Sequence, residues 1–208
     1  MKTIEHKFID DLIKLEKEQT FSGRSIIGRN KLLVVGTFNP EDNMVCKKNE
    51  AEWFYGRNAN NLWKYMPEAM INRSLKGLKK KDWIKFCTNN KVVIIDLVKT
   101  FNANQKLKSF SDKEVESLIS KKESSTIYFN SKDAFRNCNF DFVVFTRKNW
   151  ESTLPNLLNA KESLIKDLIE LKAIKSTDNQ IIYCPAPWGN FTKRAEEWSN
   201  KMQIIKNI

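Results

Sequence analysis

The chain has 208 residues, 41% of them hydrophobic, enough to bury one sizeable core and too few to suggest two domains. Lysine and arginine number 36 against 25 aspartates and glutamates, and the formal charge of +11 favours polyanionic partners. No apolar run reaches the roughly 18 to 20 residues that cross a bilayer, and the four cysteines are too dispersed, with a single histidine, to announce a zinc or iron–sulfur site.

The opening segment IEHKFIDDLIKLEKE spaces Ile4, Phe8, Leu12 and Leu15 at helical intervals, which predicts an amphipathic helix over about 4–19. It is charged throughout and has no signal-like apolar stretch, so a cytoplasmic, monomeric protein without a membrane partner is expected. Next come short apolar runs rich in β-branched residues: KLLVVG (31–36), VVIIDLV (92–98), STIYFN (125–130), FDFVVFT (140–146) and QIIYCPAP (180–187). They are near-continuous and alternate with helical stretches such as NNLWKYMPEAM, SDKEVESLISKKE and NAKESLIKDLIELKAI. Buried parallel strands with crossover helices give that pattern, so the expected fold is a three-layer α/β/α domain over 1–208 with a central, mainly parallel four-stranded sheet. The stretch 137–178 is long for one crossover and is expected to hold an insertion outside the basic sheet.

In such a fold, ligands bind beyond the carboxyl ends of the strands. That rule selects GTFNPE, DLVKTFNAN, FNSKDAF, TRKNW and CPAPWGNF, loops rich in asparagine and aromatic residues that suit a planar, hydrogen-bonding ligand. Gly36 permits a close turn and Pro40 stiffens the loop, presenting Thr37, Phe38 and Asn39 from a rigid ledge. Neither a phosphate loop nor GxGxxG comes after the first strand, which disfavours nucleotide-dependent enzymes.

Four ordered stations resemble the uracil-DNA glycosylase superfamily, in particular its mismatch-specific uracil and deoxyinosine (hypoxanthine) branches. They are LLVVGTFNPE, FYGRNANNLWKYM, VVIIDLVKTF and YCPAPWGNF. The resemblance implies a DNA base-excision enzyme that flips a deaminated or damaged base of the uracil or hypoxanthine class into a pocket and hydrolyses its N-glycosidic bond, with DNA as partner and neither metal nor cofactor. It further implies Asn39 or Asn60 as the residue that holds the attacking water, since this loop is one residue longer than the mismatch-specific pattern. Phe38, Tyr55, Gly56, Asp96 and Asn130 become base-binding candidates, with Tyr55 as the stacking ring. Arg57, Trp188, Asn190, Phe191, Lys193 and Arg194 become DNA-binding candidates.

Two departures matter. Asp96 stands where uracil enzymes carry the asparagine that reads the base, and an ionised carboxylate accepts hydrogen bonds but cannot donate one to a carbonyl. Ala186 stands where the most active enzymes carry a histidine, and the single histidine, His6, falls in the predicted N-terminal helix. These departures leave room for a catalytically inactive nucleic-acid-binding member of the same fold, and a nucleoside hydrolase is a third alternative. The basic runs KGLKKKDW and TRKNW combine cations with tryptophan, as a surface that tracks phosphates would.

Overall fold

The structure is a computed structural model that describes residues 2–46, 49–109, 111–121, 125–150, 153–175, 177–188 and 192–206. In chain order its elements are β1 (Lys2–Glu5), α1 (Ile9–Glu18), β2 (Thr20–Phe21), β3 (Arg24–Ser25), β4 (Gly28–Gly36), α2 (Leu62–Ile71), α3 (Lys80–Asn89), β5 (Val92–Asp96), β6 (Val98–Ala103), α4 (Asp112–Ile119), β7 (Ile127–Tyr128), α5 (Ser131–Ala134), β8 (Cys138–Phe145), α6 (Pro155–Glu170), α7 (Thr177–Gln180), β9 (Ile181–Tyr183) and α8 (Thr192–Lys206).

A four-stranded, wholly parallel sheet with order β5-β4-β8-β9 forms the centre, and helices flank it. Leu32 to Val35, Val92 to Ile95 and Phe142 to Phe145 are all buried, the condition under which strands read as continuous apolar runs. A second, antiparallel sheet has the order β1-β6-β7.

Three expectations change. The N-terminal helix begins at Ile9, because Lys2–Glu5 pairs antiparallel with β6, Ile4 facing Phe101 and Glu5 facing Thr100. Long-range pairing thus overrides a helical spacing in which Ile4, Phe8, Leu12 and Leu15 are nonetheless all buried. The run 125–130 contributes β7 to the second sheet. The start of 137–178 is no insertion: β8 lies in the middle of the central sheet, between β4 and β9.

The run 92–98 is also broken. β5 ends at Asp96, and after Leu97 the chain resumes as β6 in the other sheet, tied to the β4 end by Leu97 N–H to Gly36 O (3.0 Å) and Val98 N–H to Thr37 O (3.0 Å). Asp96 therefore sits at the junction of the two sheets. No helix among the described residues is long and apolar enough to cross a membrane.

Candidate active site at the strand ends

Gly36 and Asp96 are register partners and the last residues of β4 and β5. A methyl group on Gly36 would lie 1.9 Å from the Tyr55 hydroxyl and 2.0 Å from Asp96 Oδ1, so only a bare backbone lets both oxygens crowd that point. Tyr55 reaches it from a strained position, with φ of 58° in the left-handed region. What holds it there is a stack of indoles. Trp53, Trp63 and Trp83 lie face to face at 5.8 and 5.2 Å, and the Trp63 indole N–H donates to Phe54 O at 2.7 Å. Trp53 and Phe54 are buried, and Gly56 N–H closes a turn onto Trp53 O at 2.8 Å.

The Thr146 hydroxyl donates to Val35 O at 3.2 Å, which leaves its lone pair to accept the Tyr55 hydroxyl at 2.9 Å. Burial lifts the Tyr55 phenol well above its ordinary pKa, and the neighbouring Asp96 charge adds to the rise. The phenol is therefore a neutral donor.

Asp96, 4% exposed, accepts from His6 Nε2 at 2.7 Å through Oδ2. His6 is fully buried among the rings of Phe8, Phe38 and Phe54. Its Nδ1 accepts the Phe8 backbone N–H at 3.0 Å, so that nitrogen bears no proton and the imidazole is the neutral Nε2–H tautomer, donating to the carboxylate. Asp96 Oδ1 has no hydrogen-bond partner among the described residues, and Asp96 lines the strand-end cavity.

Hydrogen-bond logic also orients Asn39. Asn49 Oδ1 accepts Ala51 N–H at 3.3 Å, so its amide nitrogen is the group that donates to Pro40 O (2.5 Å) and Asn39 Oδ1 (2.8 Å). Asn39 Nδ2, turned the other way, is buried without a partner among the described residues. Asn60 spends its side-chain oxygen on Leu62 N–H at 2.9 Å, an Asx-type turn at the start of α2.

Arg57 stacks its guanidinium over the Trp188 ring at 4.8 Å. Burial lowers its pKa to about 10, against the opposing pull of Asp96 and Tyr55, so it remains a cation at neutral pH. Asp112, at the start of α4, accepts from the Thr37 hydroxyl and from Arg147 Nη1 (2.5 Å), closing another side of the cavity. The cavity, about 60 Å³, is lined by Thr37, Phe38, Asn39, Tyr55, Arg57, Asn60, Asp96, Asp112, Thr146, Arg147 and the Ala186–Trp188 loop. It has room for a few water molecules.

The structure thus gathers Phe38, Asn39, Tyr55, Arg57, Asn60, Asp96 and Trp188 from all four stations around one space. Gly56 turns away from that space. A methyl group there would lie 2.7 Å from Trp83 Cζ3, and the residue faces a neighbouring cavity of about 350 Å³ with Lys76 and Lys79. Asn130 is exposed and caps α5, its Oδ1 accepting Asp133 N–H at 3.3 Å, and it does not line the cavity. Arg194 donates to Ala186 O and Trp188 O and so braces the 186–188 loop, while Lys193 lies in an adjoining open depression with Arg147 and Lys148. Asn190 and Phe191 lie outside the described residues.

Sequence reasoning missed His6, Asn49, Thr146, Asp112 and Arg147. TRKNW did mark Thr146 and Arg147 as a strand-end loop, but no local pattern ties His6 to a carboxylate 90 residues away. Among the described residues no group of three or more His, Cys, Asp or Glu side chains is placed to hold a metal ion.

No protein-family model matches the chain, and no curated protein matches it. Among solved structures it is similar to the solution NMR structure of "a putative Uracil DNA glycosylase from Methanosarcina acetivorans", at 13% identity and a TM-score of 0.45, over 85% of this chain and 91% of that one.

Proposed function

We propose that the protein is a DNA glycosylase that hydrolyses the N-glycosidic bond of a deaminated base, of the uracil or hypoxanthine class. The observation that supports this best is the polarity of the cavity: Asp96, with Oδ1 open, lines one small space together with Asn39 and the cationic Arg57. Glycosidic cleavage separates charge in the same sense. The bonding pair leaves with the base, the sugar carbon becomes cationic, and a water molecule adds to it and gives up a proton.

A carboxylate favours the cationic sugar and takes the water's proton, and it opposes a departing anion. Asp96 therefore belongs beside the sugar and the water. Asn39 Nδ2 and Arg57, both donors, belong beside the base. This exchanges the roles that the family resemblance gives to Asp96 and Asn39, because the Asn39 oxygen is engaged by Asn49. Tyr55 offers its ring as the stacking surface, and base entry requires Trp188 to move off Arg57.

The test uses oligonucleotides carrying uracil, hypoxanthine or xanthine, single-stranded and mismatched, incubated at low salt and then treated with alkali. Strand scission at the modified base is expected, and Asp96→Asn is expected to lower its rate by about 10²- to 10⁴-fold. No scission of any of them refutes the proposal. The second reading, a nucleic-acid-binding protein without catalysis, draws on the small cavity volume and on the amide oxygens that Asn39 and Asn60 both spend on the protein. It predicts salt-dependent DNA binding, no product, and no effect of Asp96→Asn.

A further inference from the structure

We infer that His6 is a positioning residue for Asp96. It anchors Oδ2 and thereby leaves Oδ1 as the open acceptor that orients the attacking water; this rests on the glycosylase reading. The family resemblance points elsewhere, to the Ala186 loop, for a functional histidine.

Two observations carry the inference. First, the tautomer is fixed from both sides: Phe8 N–H fills Nδ1 at 3.0 Å, so the ring has one proton to give, and Asp96 Oδ2 receives it at 2.7 Å. A protonated imidazole could not accept the Phe8 N–H, so the ring itself is no proton carrier. Second, the arrangement is rigid. His6 is fully buried between three phenyl rings, and its backbone N–H is bonded to Lys99 O at 2.8 Å, so it is held by the second sheet while Asp96 ends the first. Tyr55 and Arg57 also act on Asp96, and Asp112 and Arg147 line the same cavity. The phenol donates to Thr146 and so leaves Oδ1 open.

With base and sugar in place, water attacks the sugar carbon as the carbon–nitrogen bond breaks. The bonding pair leaves on the base, and the water's proton passes to Asp96 Oδ1, from which solvent recovers it. The His6 proton stays on Nε2 throughout. Its hydrogen bond withdraws charge from one oxygen and fixes the direction of the other, a role that geometry alone can lose.

The experiment compares wild type with His6→Gln and His6→Leu. The Gln amide nitrogen reaches the position of Nε2 and can still donate, whereas Leu fills the space without a donor. His6→Leu should lower kcat by at least about 10²-fold while KM stays within about threefold, and His6→Gln should recover kcat to within about tenfold of wild type. A Leu variant within about threefold of wild type, or a folded Gln variant as impaired as Leu, overturns the inference. Long-range ¹H–¹⁵N spectra of the free wild-type chain provide a readout independent of activity and of any variant's folding. The neutral Nε2–H tautomer is expected, with its proton signal displaced in Asp96→Asn. The Nδ1–H tautomer, or signals indifferent to Asp96→Asn, overturns the inference. If wild type cleaves no oligonucleotide, the glycosylase reading fails, and the His6 assignment is decided by the spectra.

Discussion

Gly36→Ala tests the geometry on which the site depends. The added methyl would lie 1.9 Å from the Tyr55 hydroxyl, 2.0 Å from Asp96 Oδ1 and 2.9 Å from Tyr55 Cζ, and neither neighbour can yield freely. The hydroxyl is bonded to Thr146 and the carboxylate to His6. Displacing the phenol strands a buried polar group, which costs about 1–3 kcal/mol, and overpacking costs about 1–3 kcal/mol more. The lower entropy of an unfolded alanine chain returns only about 0.4–1 kcal/mol. A net loss of about 1–5 kcal/mol is expected, and for a chain of this size about 2–4 °C in Tm accompanies each kcal/mol. Urea titration and thermal melting measure it. Tyr55→Phe removes the atom 1.9 Å away, so the double variant should recover at least about 1 kcal/mol relative to additivity. Gly56→Ala, which clashes with Trp83 at 2.7 Å, should also lose stability, but Tyr55→Phe should not relieve that loss. A Gly36→Ala protein within roughly 0.5 kcal/mol of wild type, or strict additivity with Tyr55→Phe, would refute the close approach of Tyr55 and Asp96.

Two further expectations concern the donor side of the cavity. Arg57→Ala removes the cation over Trp188 and should weaken binding of a single-stranded substrate by about 0.5–2 kcal/mol. Because burial brings the Arg57 pKa down to about 10, the guanidinium is charged at neutral pH and sheds its proton as pH rises through that value. Wild-type affinity should therefore fall more steeply near pH 10 than that of Arg57→Ala, whose remaining decline comes from lysines, as fluorescence anisotropy across pH would show. Asn49→Ala deprives Pro40 O and Asn39 Oδ1 of their donor and should cost about 1–3 kcal/mol in urea unfolding. It should also lower kcat, by freeing Asn39 to rotate; an unchanged kcat would count against Asn39 as a fixed donor.

Four of the five apolar runs became the central sheet, and the reason is physical. Parallel strands buried on both faces need apolar residues at every position, and such runs stand out in any sequence. STIYFN has the same local character, yet β7 joined the second sheet, because a run specifies strand formation but not its partner. The site was legible in proportion to how local its determinants are. Gly36, Asn39 and Tyr55 stand at turns whose residue types announce them. The direction in which the Asn39 amide points depends on Asn49 and Ala51, which nothing in the sequence distinguishes from surface residues. His6 was hidden by a spacing that looked helical through residue 4, whereas the chain is a strand up to Glu5 and a helix only from Ile9.

On the proposed glycosylase reading, aspartate in place of asparagine at 96 and alanine in place of histidine at 186 are two sides of one electrostatic arrangement. An amide at 96 needs no counter-charge, but a buried carboxylate does, since desolvation penalises an unpaired anion by several kcal/mol. His6 supplies a directed proton without charge, and Arg57 supplies charge, itself held cationic by Asp96 against burial. Asp112 and Arg147 form a separate pair, so the cavity's carboxylates and guanidiniums balance in number while each pole stays charged. A reaction that starts neutral and separates charge is the kind such a cavity assists, because its field stabilises the separated ions without first binding either one. On these terms the histidine of the 186 loop is dispensable. In the proposed reaction Arg57 and Asn39 take the side of the anion instead, and the chain's one histidine, through Asp96, takes the side of the sugar.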